Sequence, residues 1–345
     1  MKKEKVVIGI SGGVDSAVSA CLLKDAGYEV IGMTMKLLDD EKTTTAITDA
    51  KRICEQINIP HYILDITKEF KELVINNFIE AYKNGQTPNP CVICNKNFKF
   101  GLFFDQAKKL GANYIATGHY AKIENNKLKM SEVKEKDQSY FLCQIPKEVL
   151  PHIIFPLEKY KSKEETRNLA RKYHLPISEK KDSQEICFIP NDDYKKFLNN
   201  KIINQEGNIT LKDGTILGKH HGLYQYTIGQ RKGLNISYKE PLYVIELKKE
   251  NNTVIVGTNE DLQKDSLNAT NMNYLIEKEA FFTTDKIYAK IRSRSNLEEV
   301  KTVKELEDKT LKITFKHPLR AITPGQYIAF YNEKKECLGG AFIQR

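Results

Sequence analysis

Residues Lys5–Ser16 read KVVIGISGGVDS, and the fold class follows from how that stretch is understood. KVVIGI is a short, apolar, β-branched run that makes a strand, and it ends in a glycine pair. AVSACLLKDAGY, residues 17–28, then carries apolar residues at helical spacing, with Gly27 as a stop signal. EVIGMTM, residues 29–35, is a second apolar strand. Strand, glycine turn, helix and strand within about thirty residues form a βαβ unit, whose crossover helix imposes a parallel sheet. The pattern continues with a helix around 46–57, a strand at HYILDI (61–66) and a helix over 68–83. After a cysteine-containing loop come a helix at 97–110 and a strand at NYIATG (113–118). Residues 1–200 are therefore expected to form an α/β doubly wound domain.

Beyond residue 200 the texture changes. GLYQYTIG (222–229), PLYVIEL (241–247) and NTVIVG (252–257) alternate apolar with polar residues between Gly and Asn turns. DKIYAKIRSR, TLKITF, QYIAFYN and CLGGAFI continue in that manner to the end. Two small β modules are expected, a central one over 201–264 and a C-terminal barrel over 265–345.

The 345 residues exceed one ordinary core. Hydrophobic residues at 40% and charged residues at 29% describe a globular protein. No apolar run approaches the roughly 20 residues of a membrane span, and MKKEKVVIGISGG has no secretory form, so a cytoplasmic location and no membrane partner are expected. A net charge of +9, spread along the chain, permits a nucleic-acid partner without demonstrating one.

SGGVDS, Ser11–Ser16, carries the first chemistry. A glycine turn between a strand and a helix N-terminus presents backbone N–H groups to an anion, aided by the helix dipole. It lacks the G-K-[ST] ending of a Walker loop and the spacing of a dinucleotide fingerprint. Ser11 and Ser16 add hydroxyl donors, and Asp15 could hold a magnesium ion or fix the loop.

The second signal is NPCVICN, Asn89–Asn95. Two cysteines three apart suit half a zinc site, a redox pair, an iron–sulfur ligand set or a sulfur-transfer centre. Seven cysteines are an odd number, which argues against a disulfide framework. Cys21, Cys54, Cys143 and Cys337 lie in apolar stretches and are expected to be core residues. Cys187, between Ile186 and Phe188, would by pattern alone be a buried strand cysteine.

SGGVDS resembles the pyrophosphate loop (PP-loop) of the N-type ATP pyrophosphatases, proteins of adenine nucleotide alpha hydrolase-like fold that adenylate an oxygen and release pyrophosphate. GQTPNPCVICNKNFKF (85–100), ATGHYAKI (116–123), KDQSYFL (136–142), KDSQEICFIP (181–190), HHGLYQYTIGQRKGL (220–234) and TPGQYIAFYN (323–332) narrow the resemblance. They are similar, in order and along nearly the whole chain, to the tRNA-specific 2-thiouridylase family. That resemblance implies ATP-dependent replacement of the C2 oxygen of the wobble uridine by sulfur, with AMP and pyrophosphate released. It implies that Gly9, Ile10, Ser11, Gly12, Gly13, Val14, Asp15 and Ser16 cradle ATP with Mg2+. Met35, after the second strand, would lie near adenine, and Gly118 would line the pocket. Cys187 would carry a persulfide supplied by a cysteine desulfurase or a relay protein, and Cys94 would be its catalytic partner in a transient disulfide.

For tRNA, with lysine, glutamate and glutamine tRNAs expected, the resemblance points to Asn89, Pro90 and Cys91 around a flipped base and His119 beside it. It adds Lys136, Asp137 and Gln138, then Arg292, Ser293 and Gln326 in the C-terminal barrel. Arg292 could equally be a solvated strand arginine. Cys91 departs from the family, in which many members carry aspartate there, so the aspartate's role does not transfer. Cys91, Cys94 and Cys187 could instead hold a [4Fe-4S] cluster with one open iron. Zinc would want a fourth ligand, with His119 the nearest candidate by chemistry. An amide ligase of the same superfamily would have no use for Cys94 and Cys187. A non-enzymatic tRNA-binding or iron–sulfur carrier would not need SGGVDS.

Overall fold

The computed structural model describes residues 3–177 and 186–344. The chain packs as two compact units that do not follow chain order. Among the described residues the first takes 3–73, 91–177 and 334–338, and the second takes 74–90, 186–333 and 339–344.

The first unit is built on strand β1 (Lys5–Gly9), helix α1 (Val14–Asp25), β2 (Glu29–Lys36), α2 (Glu41–Gln56), β3 (His61–Asp65) and β4 (Tyr114–Ala116). With the short strand Ile153–Ile154, they form a five-stranded sheet in the order β3-β2-β1-β4-(153–154). All four neighbouring pairs are parallel. The winding reverses between β1 and β4, and the crevice at the carboxyl ends of those two strands is the topological switch point where such sheets bind ligands. Both faces are covered, which is why β1 is almost uniformly apolar: Val6, Val7 and Ile8 are fully buried. Val6, Ile8 and Ile10 pack with Ala20 and Leu23 of α1 and with Ala50 and Cys54 of α2. Asp40 caps α2, its carboxylate accepting the Thr43 N–H at 2.7 Å. Met35 lies inside β2 rather than after it.

NPCVICN is not a loop. Pro90 opens an α-turn, Pro90–Cys94, and the chain runs straight into a π-helical stretch, Asn95–Leu102, before returning to α at Phe103–Lys109. Proline suits the first helical position, because its missing N–H would be unsatisfied there anyway. Phe98, Phe100 and Phe103 are all buried and hold this irregular helix in place.

The second unit contains a four-stranded sheet in the order Tyr243–Lys248, Thr253–Gly257, Gly207–Thr210, Ile216–His220. GLYQYTIG is not a strand: Leu223–Gln225 form a 3-10 turn between Gly222 and Gly229, both at positive φ. Leu223 and Tyr226 enter the core from that turn, beside Val244 and Val254, so their apolar character reflects burial rather than alternation. The C-terminal strands close into a six-stranded barrel, built around residues such as Phe330 and Ala341. Among the described residues no helix is long and apolar enough to cross a membrane.

A Cβ at Gly32 in β2 would lie 2.5 Å from the Cys54 sulfur. Gly32→Ala is therefore expected to cost about 1–3 kcal/mol by overpacking. Urea unfolding should show Gly32→Ala/Cys54→Ala to be more stable than Gly32→Ala alone; the opposite order would place the strain elsewhere.

Candidate active site

The glycine loop sits at the switch point. Gly12 adopts φ +70°, and a Cβ there would lie 2.7 Å from the Ala46 carbonyl oxygen, so only glycine lets the loop turn this close to α2. Ser16 ties the loop across itself. Its Oγ donates to the Gly13 carbonyl at 3.0 Å and accepts the Ser11 N–H at 3.2 Å, with the Ser11 Oγ also 3.2 Å away. Thr34 donates to the Ile10 carbonyl at 2.7 Å and fixes the strand end from β2.

Gly118, two residues past β4, closes the other side. A Cβ on it would stand 3.2 Å from the Asp15 backbone carbon, the Asp15 Cβ and the Ser16 nitrogen. Absence of a side chain at 118 is thus what allows the β4 loop to lie on the N-terminus of α1. Asp15 does not point into empty space. Its carboxylate accepts the Tyr120 hydroxyl at 3.1 Å and forms an ion pair with Lys163. The Tyr120 hydroxyl is also 3.1 Å from Thr166 Oγ1. Of the two roles open to Asp15, fixing the loop is the one seen in the chain by itself.

The second part of the site lies on the irregular helix. Cys91 is exposed and Cys94 buried, three residues apart and so on one side of the helix. Desolvation pushes both thiols above the ordinary cysteine value, at Cys91 because neighbouring atoms crowd the sulfur even though the residue keeps exposed surface, while the Lys99 ammonium pulls both down; Cys91 adds to the rise at Cys94. Lys99 acts on His119 too, reinforcing the burial that holds the imidazole well below its usual range. His119 shares a 2.7 Å hydrogen bond with Thr117 through Nδ1, and its ring lies 6.0 Å from the rings of both Phe100 and Phe155. A neutral imidazole, two thiols and one ammonium thus share a single neighbourhood.

The segment 136–138 serves the interior of this unit. Asp137 is buried, accepting the N–H groups of Ser131 and Ser139 at 3.0 and 3.2 Å and the Ser139 hydroxyl at 2.9 Å. Gln138 holds Tyr120 twice, through its N–H on the Tyr120 carbonyl at 2.9 Å and its Oε1 on the Tyr120 N–H at 3.0 Å. The Lys136 ammonium lies 4.9 Å from the Tyr120 ring centroid. In this conformation the Asp137 carboxylate shapes the loop.

In the second unit Cys187 is exposed on a turn, not buried in a strand. The turn is closed by the Ile189 N–H on the Ile186 carbonyl at 3.0 Å. Phe188 anchors it, packing on Phe78 at 5.3 Å and Phe197 at 5.6 Å. Residues 181–185 of KDSQEICFIP lie outside the described residues. Arg292 is half-buried in the turn after the strand Tyr288–Lys290, and its Nη2 donates to the carbonyls of Ile228 at 3.3 Å and Ala321 at 3.0 Å. It is neither a strand residue nor fully solvated. Ser293 is half-buried beside it. Gln326 donates to the Thr87 carbonyl at 2.8 Å, while the Thr87 N–H donates to Pro324 at 3.0 Å. The TPGQ corner therefore holds the segment that leads into half-buried Asn89 and buried Pro90.

The structure thus gathers Gly9–Ser16, Met35, Cys91, Cys94, Gly118, His119 and 136–138 in one unit, and Asn89, Pro90, Cys187, Arg292, Ser293 and Gln326 in the other. Cys21, Cys54, Cys143 and Cys337 are buried, as their apolar settings required. Sequence reasoning missed Lys99, Tyr120 and Lys163. Among the described residues no trio of His, Cys, Asp or Glu side chains is gathered closely enough to hold a metal ion.

Two outcomes follow from this geometry. Gly118→Ala should push on Asp15 and Ser16 and raise the KM for ATP by about tenfold, with a thermal midpoint close to wild type. An unchanged KM would mean that the loop yields freely. For His119, the unfolded chain gains a proton near pH 6.5 that the folded chain refuses, so stability is lost as pH falls through that range. Urea titrations between pH 5 and 7.5 should show His119→Phe with a shallower slope, by up to about 1.4 kcal/mol per pH unit. His61 and His220, also held low by burial, keep part of the slope.

Comparison with known proteins agrees with the arrangement. Residues 4–191 match the family described as tRNA methyl transferase HUP domain, 195–258 its PRC-barrel domain, and 264–343 an aminomethyltransferase beta-barrel domain. The tRNA-specific 2-thiouridylase MnmA 1 of Caldanaerobacter subterraneus subsp. tengcongensis is 44% identical over 99% of this chain and 98% of its own. That of Fusobacterium nucleatum subsp. nucleatum is 45% identical over 99% and 93%. A solved U34-tRNA thiolase, NcsA from Methanococcus maripaludis with its [4Fe-4S] cluster, aligns with a TM-score of 0.37 and 22% identity over 51% of this chain and 59% of that one, too loose to bear on the site. With a doubly wound ATP-utilising fold, two β modules and full-length likeness above 40% identity, this chain belongs to the MnmA family of tRNA-specific 2-thiouridylases.

Proposed function

We propose that the chain is a tRNA-uridine 2-sulfurtransferase that thiolates the wobble uridine, U34, at C2 using ATP. One observation carries the reading. Over its whole length the chain matches proteins named tRNA-specific 2-thiouridylases, and it retains a switch-point glycine loop together with Cys94 and Cys187. Methyl transfer, the word in the family description, has no need of that pair.

The C2 carbonyl of uracil is amide-like, and oxide is a poor leaving group. Attack of the C2 oxygen on the α-phosphorus of ATP expels pyrophosphate and leaves a phosphate ester, from which AMP can depart. Gly9–Ser16 bind the triphosphate, Asp15, paired with Lys163 in the chain by itself, would hold Mg2+ when ATP brings it, and Met35 and Gly118 border the nucleotide. The terminal sulfur of a Cys187 persulfide attacks C2 and AMP leaves. Cys94 then attacks the Cys187 sulfur, freeing the thiocarbonyl and forming a disulfide that an external thiol reduces. Lys99 and neutral His119 support this step, the first by stabilising the thiolate and the second by leaving the base uncharged surroundings. The base flips from an anticodon loop into the space bordered by Asn89, Pro90, Cys91 and His119. Lys136, Asp137 and Gln138, with Arg292, Ser293 and Gln326, are assigned to the tRNA, and lysine, glutamate and glutamine tRNAs are the expected substrates. The sulfur comes from a cysteine desulfurase or relay protein, in the cytoplasm.

The alternative is a [4Fe-4S] cluster held by Cys91, Cys94 and Cys187. Those residues supply the right donors. Iron-free protein, given ATP, lysine tRNA, cysteine and a desulfurase, should thiolate the tRNA, read as retardation on a mercury-containing gel. Cys94→Ser and Cys187→Ser should each abolish the product, and Cys91→Ser should retain it. Activity only with about four irons per chain, lost in Cys91→Ser, would overturn the relay.

A further inference from the structure

The helix Lys163–Lys172 is remote in sequence from the glycine loop, yet it packs along α1. Thr166 and Ala170 on one stripe are fully buried. Ala170 lies in the core with Val14, Ala17 and Val18 of α1, and Thr166 meets the Tyr120 hydroxyl. Residues 163, 166, 167 and 170 share that stripe by helical spacing. Lys163, at its start, pairs with Asp15 and lies 5.4 Å from the Tyr120 ring centroid. One turn on is Arg167, whose Nε is buried and has no hydrogen-bond partner among the described residues.

A buried guanidinium N–H without an acceptor is costly and rarely kept without a use. An aspartate at the mouth of a phosphate loop repels the anion the loop is shaped to bind unless a cation balances it. Lys163 cancels that charge, and Arg167 adds a planar donor suited to phosphate oxygens. We propose that Lys163 and Arg167 form a cationic clamp on the β- and γ-phosphates of ATP, the part that departs as pyrophosphate. This rests on the reading of the glycine loop as an ATP site. It extends that site to a helix some 150 residues away in sequence (Lys163 is 148 residues from Asp15). The clamp favours adenylation by stabilising negative charge on the leaving group as the α-phosphorus is attacked.

The test is calorimetric binding of MgATP, inorganic pyrophosphate and AMP to the full chain, for wild type, Lys163→Met, Arg167→Met and Arg167→Lys. Arg167→Met should weaken ATP and pyrophosphate by about tenfold or more and leave AMP within about twofold, with Arg167→Lys intermediate. Lys163→Met should move in the same direction. A merely structural arginine would weaken ATP and AMP together, and that result overturns the clamp, as does unchanged pyrophosphate affinity. Thermal melting separates misfolding from both, and the charge-preserving Arg167→Lys keeps the comparison if Arg167→Met does not fold. Wild type that binds ATP but does not thiolate tRNA would refute the functional reading while the clamp is still decided by these affinities. Wild type that binds neither ATP nor pyrophosphate refutes both.

Discussion

The close approach of residue 118 to the first turn of α1 is the constraint on which the rest of this site depends. At 3.2 Å from three atoms of Asp15 and Ser16, even a methyl group has to displace something. The contact brings the ends of β1 and β4 together at the point where the sheet reverses its winding, and ATGHY is threaded through it. His119 and Tyr120 are consequently sent to opposite tasks. His119 goes to the aromatic pocket of Phe100 and Phe155, and the Tyr120 hydroxyl goes to Asp15 and Thr166. A single tight turn therefore fixes the distance between the phosphate loop and the environment of the thiols.

Irregularity of the cysteine helix has a comparable consequence. Five residues of α-helix rotate by about 500°, which would leave Lys99 some 140° round from Cys94. A π-helical stretch, with its i→i+5 bonding, brings the fifth residue back over the first. Asn95–Leu102 is such a stretch, and Lys99 acts electrostatically on Cys91, Cys94 and His119 alike. The buried phenylalanines at 98 and 100 hold that winding by packing, since the bonding pattern is not the favoured one.

Much of this was legible in the sequence, and the reasons differ by feature. KVVIGISGGVDS announces its turn because glycine, strand and helix signals are all local. The parallel sheet follows from the order of elements alone. NPCVICN deceived, since asparagine and proline at 89–90 are loop signals that also suit the start of a helix. GLYQYTIG deceived for a different reason: its apolar residues enter a core from a turn, and pattern cannot distinguish that from alternation. Lys163 and Arg167 were beyond reach, because KEETRNLARK resembles any solvated amphipathic helix. Only its packing on α1 brings Lys163 to Asp15. Lys99 was hidden by the winding, which no local signal predicts.

Under the persulfide reading, the two sulfur centres are prepared in opposite ways, and the difference has a chemical logic. Cys187 must be met by a donor protein, and its turn exposes the thiol while Phe188 and Ile189 are sunk on the following side. Cys94 must not react until a base is adenylated, and burial raises its thiol against the pull of Lys99. A thiolate formed too early would be open to oxidation or to futile attack on the donor's persulfide. Desolvation suppresses that state in the resting chain, and the ammonium beside it limits the cost of reaching it when sulfur is to be released. Cys91, exposed on the same side of the helix, is likewise raised by desolvation and pulled down by Lys99. A thiol rather than a carboxylate at position 91 leaves the local charge neutral. Lys99 is thereby left to act on Cys94 and His119 without a competing anion at position 91.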